Sequence, residues 1–537
     1  MIATPRRFLA AVAATALATP LLLSAASPAA AVGHAPGKAI GKEKENGKDA
    51  ARKAAKLSKE LVRSSSAGSA YRHLERLQEI ADEAGGNRAA GTLGHDASAA
   101  YVYSTLQKAG YQVSYQNFGI TYIETLAEKL SVVTPNPRDV AVTAMSYTKS
   151  TPEGGVRAAL AAVPVDETTG CEPSDYASGD YTGKIALIQR GGCSFADKQR
   201  EAGAAGAVAA IVYNNTEGAL NGTLGDPAAG VIPTGGITKE AGEALAAEAA
   251  AGTVTVSLDI RQLQEERTTR NVIAETKGGR SDRTVMLGAH LDSVTEGPGI
   301  NDNGSGSAGL LEVALKLART HEKPTNKVRF AWWSAEELGL LGAEHYVGEL
   351  TGRQRADIAL YLNFDMIASP NPAQFVYDGD NSDGGGEGPG PEGSAQIEKD
   401  ITDYLDSRNV PHEGTDFDGR SDYGPFIEVG IASGGTFTGA EGIKTEEQAR
   451  RYGGEAGVAY DPCYHSACDN LSNIDMPAFG VNIGVIAHAV GTYAHDLGSL
   501  KRPVPTPSVQ PLKTADPSRK TAETAGQGHD RGHTPTS

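Results

Sequence analysis

Acidic and histidine side chains occur at widely separated places in the second half of the chain, next to short apolar segments. The residues are His290, Asp292, Asp302, Glu336, Glu337, Asp365 and His465. Imidazole and carboxylate groups are the usual ligands of catalytic zinc. Carboxylates held together without a cation repel one another, and their pKa values rise. The residue types therefore indicate a centre of divalent metals, where two ions can share a water and polarise a carbonyl.

Predicted strands precede most of these motifs. Apolar runs predict strands at 284–289, 327–333 and 359–365, and an apolar face predicts a helix at 306–320. Each motif alone is weak evidence, because His-Asp, Glu-Glu and Asn-Asp-Asn are common on surfaces and in turns. Strands that alternate with helices form a mostly parallel sheet, which binds ligands beyond the carboxyl ends of its strands. The sequence therefore predicts an α/β fold whose mostly parallel mixed sheet, flanked by helices, brings the motifs together.

The composition is typical of a globular protein with more than one domain. The 537 residues are 39% hydrophobic and 21% charged, which excludes a collagen, a coiled coil and a largely disordered chain. A single hydrophobic core stops growing at about 250–300 residues. Acidic residues number 66 against 49 basic ones, for a net charge of −17. Nucleic acids and anionic membranes select basic surfaces, so we expect neither as a partner.

The two ends of the chain are expected to lie outside the fold. Arg6 and Arg7, an apolar stretch over 8–23 and Ala29-Ala30-Ala31 predict a signal peptide over 1–31. A secreted, extracellular protein follows; a retained membrane anchor is the alternative, and the export route stays open. Residues 32–64 are interpreted as a pro-segment or linker. The proline-rich tail over 501–537 is expected to be disordered or trimmed.

The four cysteines form two local pairs, Cys171 with Cys193 and Cys463 with Cys468. Four cysteines allow three connectivities, and proximity favours these two disulfides. A thiolate metal site is the alternative, but neither spacing is C-x-x-C and exported proteins meet an oxidising environment. We therefore expect both disulfides.

The segment 129–261 lacks the acidic and histidine clusters and differs in composition. Its run RGGCSFADKQREAGAAGAVAAIVYNN, over 190–215, resembles the protease-associated (PA) domain. The resemblance implies a small non-catalytic insert that caps or flanks a peptidase site. We therefore divide the chain into a first peptidase part at 65–128, the PA insert at 129–261 and a second peptidase part at 262–500.

A set of motifs outside this insert identifies a family. AHLDSV, GINDNGSG, WWSAEELGLLGAEHYV, NFDMI, GRSDYGPF and CYHSACD occur in this order. Together they resemble the secreted dizinc aminopeptidases of the aminopeptidase S and aminopeptidase Y type. The resemblance implies a phosphorylase/hydrolase-like α/β fold, two zinc ions, and release of the N-terminal residue from peptides and proteins that have free N-termini, by an enzyme we expect to be monomeric.

The resemblance also implies five metal ligands. Asp302 corresponds to a carboxylate that bridges both zinc ions. His290 and Asp365 would complete the site of one ion, and Glu337 and His465 that of the other.

Further roles follow from the same motifs. Glu336 corresponds to the general base, and Asp292 to the partner that orients His290. Tyr464 corresponds to the residue that stabilises the oxyanion. Arg420 is expected beside the substrate. The candidates for the pocket of the first residue are Met366, Gly419 and Phe437, and their apolar character favours a large apolar residue such as leucine.

Enzymes of other classes fit the sequence less well. Residues 304–309 match G-x-G-x-x-G, but a nucleotide-binding loop should follow its strand directly, and here the first glycine lies fifteen residues past Ala289. G-x-S-x-G is absent, which argues against a serine peptidase, and H-E-x-x-H is absent too. A metal-dependent hydrolase therefore remains the preferred interpretation.

Proteins that share this fold but act differently give rival interpretations of the same motifs. They are a carboxypeptidase of the glutamate carboxypeptidase kind, a glutaminyl cyclase with one zinc, and a non-catalytic binding protein such as the transferrin receptor. Every expected ligand position carries a competent ligand, which favours an enzyme. Calcium binding stays open, because the acidic loop over 378–395 lacks the EF-hand pattern.

Overall fold

The computed structural model describes residues 37–216, 218–386 and 388–504. The chain separates into a short N-terminal unit that ends at Lys48 and a large unit that begins at Asp49. Of the short unit, the structure describes only the start of a helix. The predicted signal peptide and nearly all of the predicted tail lie outside the described residues.

Helices and strands alternate through most of the described chain. The helices are α1 (Gly37–Ser64), α2 (Ala67–Glu83), α3 (Leu93–Ala109), α4 (Phe195–Ala204), α5 (Lys239–Ala251), α6 (Gly306–Arg319), α7 (Leu341–Glu349), α8 (Gly352–Ala356), α9 (Ser394–Asp406), α10 (Gly424–Glu428), α11 (Glu446–Tyr452) and α12 (Met476–Tyr493). The strands are β1 (Gln112–Thr134), β2 (Arg138–Val140), β3 (Thr143–Ala144), β4 (Val156–Ala162), β5 (Ile185–Gln189), β6 (Ala209–Tyr213), β7 (Thr234–Ile237), β8 (Thr255–Glu275), β9 (Arg280–His290), β10 (Asn326–Trp333), β11 (Ile358–Phe364), β12 (Phe375–Tyr377), β13 (Glu413–Thr415) and β14 (Ser433–Phe437). Within the described residues, no helix has both the length and the apolar character that a membrane crossing needs.

The central sheet of the peptidase part has the order β13-β12-β14-β11-β9-β10-β8. Strands β10, β9, β11 and β14 run parallel to one another, whereas β8 is antiparallel to β10 and β12 is antiparallel to β14. Trp333 pairs with His290, and Asn363 pairs with Gly288. The carboxyl ends of β9, β10 and β11 therefore reach the same edge of the sheet, as the sequence predicts.

Helices cover both faces of this sheet. On one face the core contains apolar residues of α2, α3, α6, α9 and α12, with Leu310 and Ile486 fully buried. On the other face α7 and α10 contribute Tyr346 and Phe426, which pack near the buried Trp333. Strands buried on both faces are the signature of an open α/β sheet. The predicted mostly parallel α/β fold is confirmed.

The inserted part is connected to the peptidase part by two long strands. β1 and β8 pair antiparallel from Gln112 opposite Glu275 to Thr134 opposite Thr255. Beyond this ribbon, β4, β5, β6 and β7 form a parallel sheet with a separate apolar core. The predicted domain boundaries fall inside the ribbon, where Glu128 pairs with Ile260 and Ala127 with Arg261.

Both expected disulfides are present, and the structure contains no free cysteine among the residues it describes. Cys171–Cys193 lies in the inserted part, across the loop before α4. Cys463–Cys468 closes a small ring that includes Tyr464 and His465. The predicted pairing is therefore confirmed.

The second half of α1 packs against α12. Leu57 and Leu61 are fully buried in the core of the peptidase part. Ser58 Oγ lies 2.8 Å from Nδ1 of His488 on α12. A Cβ atom on Gly491 would come within 2.3 Å of the Ser58 Cα atom, so only glycine allows this close approach. Removal of 32–64 as a pro-segment stays a prediction, but residues 57–61 of that segment contribute to the core.

We expect Leu57→Ala to lower the free energy of unfolding by about 2–5 kcal/mol, because it leaves a cavity between α1 and α12. Chemical denaturation followed by circular dichroism measures this change. Leu93 at the start of α3 is 79% exposed, so Leu93→Ala is the matched control, with an expected change within about 0.5 kcal/mol. Equal stability of the two variants would show that α1 does not contribute to the core.

Candidate metal centre

One group of predicted ligands meets at the carboxyl ends of β9 and β11. His290 is the last residue of β9, and Asp365 directly follows β11. His290 Nε2 lies 3.1 Å from Asp302 Oδ1 and 3.3 Å from Asp365 Oδ1. Asp302 belongs to the turn over 300–305 that leads into α6. Ligand atoms of these three residues all lie within 4.8 Å of one another, the spacing of donors that share a cation.

A second group forms beside the first. His465 Nε2 lies 3.0 Å from Glu337 Oε2 and 3.3 Å from Asp302 Oδ2. Glu337 follows β10, and His465 lies in the disulfide-closed ring. Asp302 thus belongs to both groups and presents a different oxygen to each.

Buried atoms without a hydrogen bond occur in both groups, and their chemistry fits a divalent cation. Glu337 Oε1, Asp365 Oδ1 and His465 Nε2 are buried and form no hydrogen bond. A buried polar atom without a partner is costly, so such atoms in a native protein call for an ion or a water. Imidazole nitrogen and carboxylate oxygen are donors that zinc accepts. The residues present therefore fit the predicted metal centre.

The electrostatics of the two histidines reflect the surplus of negative charge. Burial alone would lower the pKa of His290, but the carboxylates of Asp365 and Glu336 outweigh it and raise the pKa well above 6.5. The pKa of His465 is raised in the same way, against the effect of burial, chiefly by Glu337. Without a cation, protons would therefore compensate the charge that a divalent ion would otherwise neutralise.

Glu336 and Glu337 are neighbours with different positions. Glu337 is a member of the second group, whereas Glu336 belongs to neither group and lines the same cavity. Burial raises the pKa of Glu337 to about 7, against the opposing charge of His465. Burial also raises the pKa of Glu336 well above its usual value, against the charge of His290. A carboxyl group that borders a metal centre without belonging to it can accept and return a proton.

Asp292 is fully buried and contacts both His290 and the turn that carries the two glutamates. Its two carboxylate oxygens each accept a backbone N–H at 3.4 Å, from Glu336 and from Glu337. His290 Nδ1 lies 3.2 Å from the Asp292 carbonyl oxygen and 3.7 Å from its carboxylate. Asp292 thus faces the non-ligating nitrogen of His290, mainly through its main chain, and also holds the turn that carries the two glutamates.

Comparison with known proteins shows which family the chain belongs to. The model of peptidase family M28 matches residues 271–490, and the PA domain model matches residues 156–245. An aminopeptidase of Pseudomonas aeruginosa is 47% identical over 447 residues, which cover 80% of this chain and 81% of that protein. The chain belongs to peptidase family M28. The predicted family and the PA domain are confirmed, and the chain is a metalloaminopeptidase with a PA insert.

Further proteins that are similar to this M28 peptidase are also named aminopeptidases. Leucine aminopeptidase 2 of Trichophyton tonsurans is 46% identical, covering 79% of this chain and 83% of that protein. Among solved structures, an aminopeptidase from an Aneurinibacillus strain has a TM-score of 0.63 at 28% identity and covers 81% of this chain and 95% of its own. The zinc aminopeptidase BSAP of Bacillus subtilis has a TM-score of 0.58 at 29% identity and covers 79% and 94%.

The M28 peptidase holds Asp365 through a chain of buried hydrogen bonds that sequence reasoning missed. Trp333 Nε1 donates to the Tyr361 hydroxyl at 2.8 Å, and that hydroxyl donates to Asn363 Oδ1 at 3.0 Å. Asn363 Nδ2 donates to Ser421 Oγ at 2.7 Å, and Ser421 Oγ donates to Asp365 Oδ2 at 2.6 Å. This series of hydrogen bonds ends on Asp365 Oδ2, so that Asp365 Oδ1 faces His290. Asn363 and Ser421 lie inside the NFDMI and GRSDYGPF motifs, and their place in these motifs is the only feature of the sequence that points to a role at the site.

Tyr464 and Arg420 form a contact at the rim of the peptidase centre. Arg420 Nη2 donates to the Tyr464 hydroxyl at 3.4 Å and pairs with Glu441 at 2.8 Å. The Tyr464 ring stacks on His465 with 3.8 Å between ring centroids. Burial, together with the charge of Asp302, raises the pKa of Tyr464 well above 10. The phenol therefore keeps its proton and can donate it in a hydrogen bond.

Three of the four predicted substrate residues line one cavity next to the predicted metal ligands. Met366, Phe437 and Arg420 line it, whereas Gly419 lies between the lining residues Asp418 and Arg420 and is not itself part of the wall. The cavity thus combines apolar side chains with carboxylates.

Proposed function

We propose that this M28 aminopeptidase works with two zinc ions and removes large apolar residues, leucine above all, from the free N-termini of peptides and proteins. The observation that carries the proposal is the position of Asp302, which offers one oxygen to each of two ligand groups. A single metal would leave one group with buried carboxylates and an imidazole but no cation. The leucine preference is supported by Met366 and Phe437 in the cavity wall and by relatives that are named leucine aminopeptidases.

The five ligands divide into two sets with one shared member. His290, Asp365 and Asp302 would hold one zinc ion, and Glu337, His465 and Asp302 the other. Zinc at these positions supplies Lewis acidity, which makes a water more acidic and polarises the scissile carbonyl. Asp292 and Ser421 keep His290 and Asp365 in their orientations.

Glu336 is the proton carrier of the reaction. It accepts the proton of the attacking water and later donates it to the departing amine. Burial raises its pKa above the usual value of a carboxyl group, and a carboxyl group with a raised pKa is a stronger base when ionised. No other glutamate of the described chain combines exclusion from both ligand groups with a place in this cavity wall.

Tyr464 is the hydrogen-bond donor to the oxyanion. Its hydroxyl oxygen accepts a bond from Arg420, so its own proton is available in another direction. Because the phenol remains protonated, the donor is in place before charge develops on the substrate. The cavity wall also carries a carboxylate outside both ligand groups, Asp418, which would attract a positive α-amine and so favour free N-termini over internal peptide bonds.

We also propose that the enzyme is exported and acts as a monomer. Two disulfides in a chain without free cysteines among the described residues support an oxidising environment.

The function is tested with aminoacyl p-nitroanilides and with zinc removal. Leucine p-nitroanilide is expected to be hydrolysed fastest in a panel of apolar, charged and small residues, and N-acetyl-leucine p-nitroanilide not at all. A chelator should abolish activity, and zinc should restore it together with about two zinc ions per chain, measured by elemental mass spectrometry. Equal hydrolysis of the acetylated substrate, or full activity with a single zinc ion, would contradict the proposal.

A further inference from the structure

One buried carboxylate joins the two loops that carry Asp302 and His465. Asp469 is 1% exposed. Its Oδ1 accepts the backbone N–H of Asn301 at 2.8 Å, and its Oδ2 accepts that of Asp302 at 2.9 Å. The Asp469 carbonyl oxygen accepts the backbone N–H of Ile300 at 3.0 Å. Three successive amides of the turn that presents the shared ligand are therefore held by a single residue.

A second carboxylate strengthens this contact. Asp461 is also 1% exposed, and its Oδ2 accepts Asn301 Nδ2 at 2.7 Å. Asn473 Nδ2 donates to Asp461 and to Asp469, each at 3.0 Å. The segment 461–473 thus holds both the main chain and the side chain of Asn301.

The Cys463–Cys468 disulfide restrains the position of Asp469 in space. Cys468 directly precedes Asp469 and closes the ring with Cys463, in which His465 has a φ of 54°. A non-glycine residue keeps this left-handed conformation only where its surroundings enforce it. The ring also packs closely on the neighbouring loop, since a Cβ atom on Gly297 would meet the Ser466 carbonyl oxygen at 2.2 Å. His465 and Asp469 therefore belong to one tightly held loop.

We propose that Asp469 is a positioning residue of the metal centre, which fixes Asp302 relative to His465 through the backbone amides of Asn301 and Asp302. The inference rests on the proposed zinc centre, because it concerns how that centre keeps its shared ligand in place. Asp302 must offer opposite oxygens to two groups at once, and a ligand set tolerates displacements of only about 0.5 Å. Asp469 transmits the position of the disulfide-closed loop to this carboxylate.

The test compares zinc affinity with thermal stability in full-length Asp469→Asn and Asp469→Ala variants. Zinc affinity is measured by competition with a chromophoric chelator, and bound zinc by elemental mass spectrometry. Losing support around a ligand typically weakens metal binding about 10- to 100-fold. We expect the weaker effect for Asn, which keeps one acceptor oxygen, and the stronger for Ala. Saturating zinc should restore most of kcat in Asp469→Asn.

Asp175 offers a matched control in the PA insert. It is 6% exposed and accepts the Glu172 backbone N–H at 3.1 Å and the Thr168 hydroxyl at 2.8 Å. Asp175→Asn therefore makes the same exchange at a similarly buried carboxylate. We expect it to change the melting temperature without changing zinc affinity.

Zinc affinity and melting temperature together distinguish a positioning role of Asp469 from a purely structural one. Wild-type zinc affinity in both Asp469 variants, with a lower melting temperature, would assign Asp469 a purely structural role and overturn the proposal. If Asp469→Ala does not fold, Asp469→Asn alone decides the question: weaker zinc binding in the folded variant supports the proposal, and unchanged binding overturns it. A wild-type enzyme that binds no zinc would instead refute the proposed function.

Discussion

Glu336→Gln is expected to lower kcat by about 10³- to 10⁴-fold while both zinc ions stay bound. General acid–base catalysis contributes about 10²- to 10⁴-fold, and we expect the upper part of that range because the proposed mechanism uses the same carboxyl group for two proton transfers. Glutamine has nearly the same size and cannot carry the proton. Steady-state kinetics with leucine p-nitroanilide, together with zinc content, measures both halves of this prediction.

Glu337→Gln is the matched control for this substitution. It makes the same exchange one residue later, but in a member of the second ligand group. We expect this variant to lose zinc from that group and to recover part of its activity when zinc is added, which Glu336→Gln should not do. Near-normal turnover in Glu336→Gln would remove Glu336 from its assigned role.

Asp302→Asn is expected to weaken zinc binding at both positions and to reduce activity to the level of the chelator-treated enzyme. The carboxylate offers one oxygen to His290 and the other to His465, and an amide has one oxygen and no negative charge. The backbone contacts of Asp302 with Asp469 do not depend on its side chain, so the fold should persist. Titration with zinc, followed by elemental mass spectrometry, measures the loss at each position.

Asp365→Asn distinguishes a shared ligand from an unshared one. Asp365 belongs to the first group alone, so this variant should keep about one zinc ion per chain. If Asp302→Asn and Asp365→Asn lost the same amount of zinc, Asp302 would not be shared between two ions.

The parts of the site that could be predicted lie next to a strong local pattern. His290 and Asp365 stand at the ends of apolar strands, and parallel strands bring such ends to one edge. Glu337 follows another apolar strand in the same way. Asp302 is predicted as a ligand only through the family motif, because nothing in its turn alone distinguishes a ligand from ordinary turn chemistry.

The supporting contacts could not be predicted, because each joins residues that are far apart in the chain. Ser421 meets Asp365 across 56 residues, and Asp469 meets Asp302 across 167. Arg88 is fully buried, and it donates to the carbonyl oxygens of Pro298 at 2.9 Å and Gly299 at 2.5 Å, more than 200 residues away. Burial lowers its pKa to about 10, so Arg88 keeps its charge at neutral pH. Only the fold shows that this arginine supports the segment before Asp302.

The burial of part of the N-terminal region could not be predicted from its sequence. Its many alanine, lysine and glutamate residues favoured a pro-segment or linker, since few of them are large and apolar. Two leucines one helical turn apart, Leu57 and Leu61, nevertheless become fully buried. A short apolar stripe is enough when a glycine such as Gly491 lets two helices approach closely.

The paired course of β1 and β8 makes the PA insert a module on a hairpin stem. The chain leaves the peptidase part and returns to it side by side, so that Ile123 faces Gln264 and Tyr122 faces Glu265. A tight turn that joined β1 directly to β8 at one of these residue pairs would replace the insert and leave the register of the remaining strand pairs unchanged. Evolution can therefore gain, lose or exchange this appendage while β9, β10 and β11 keep their alignment, and the chemistry need not be rebuilt each time.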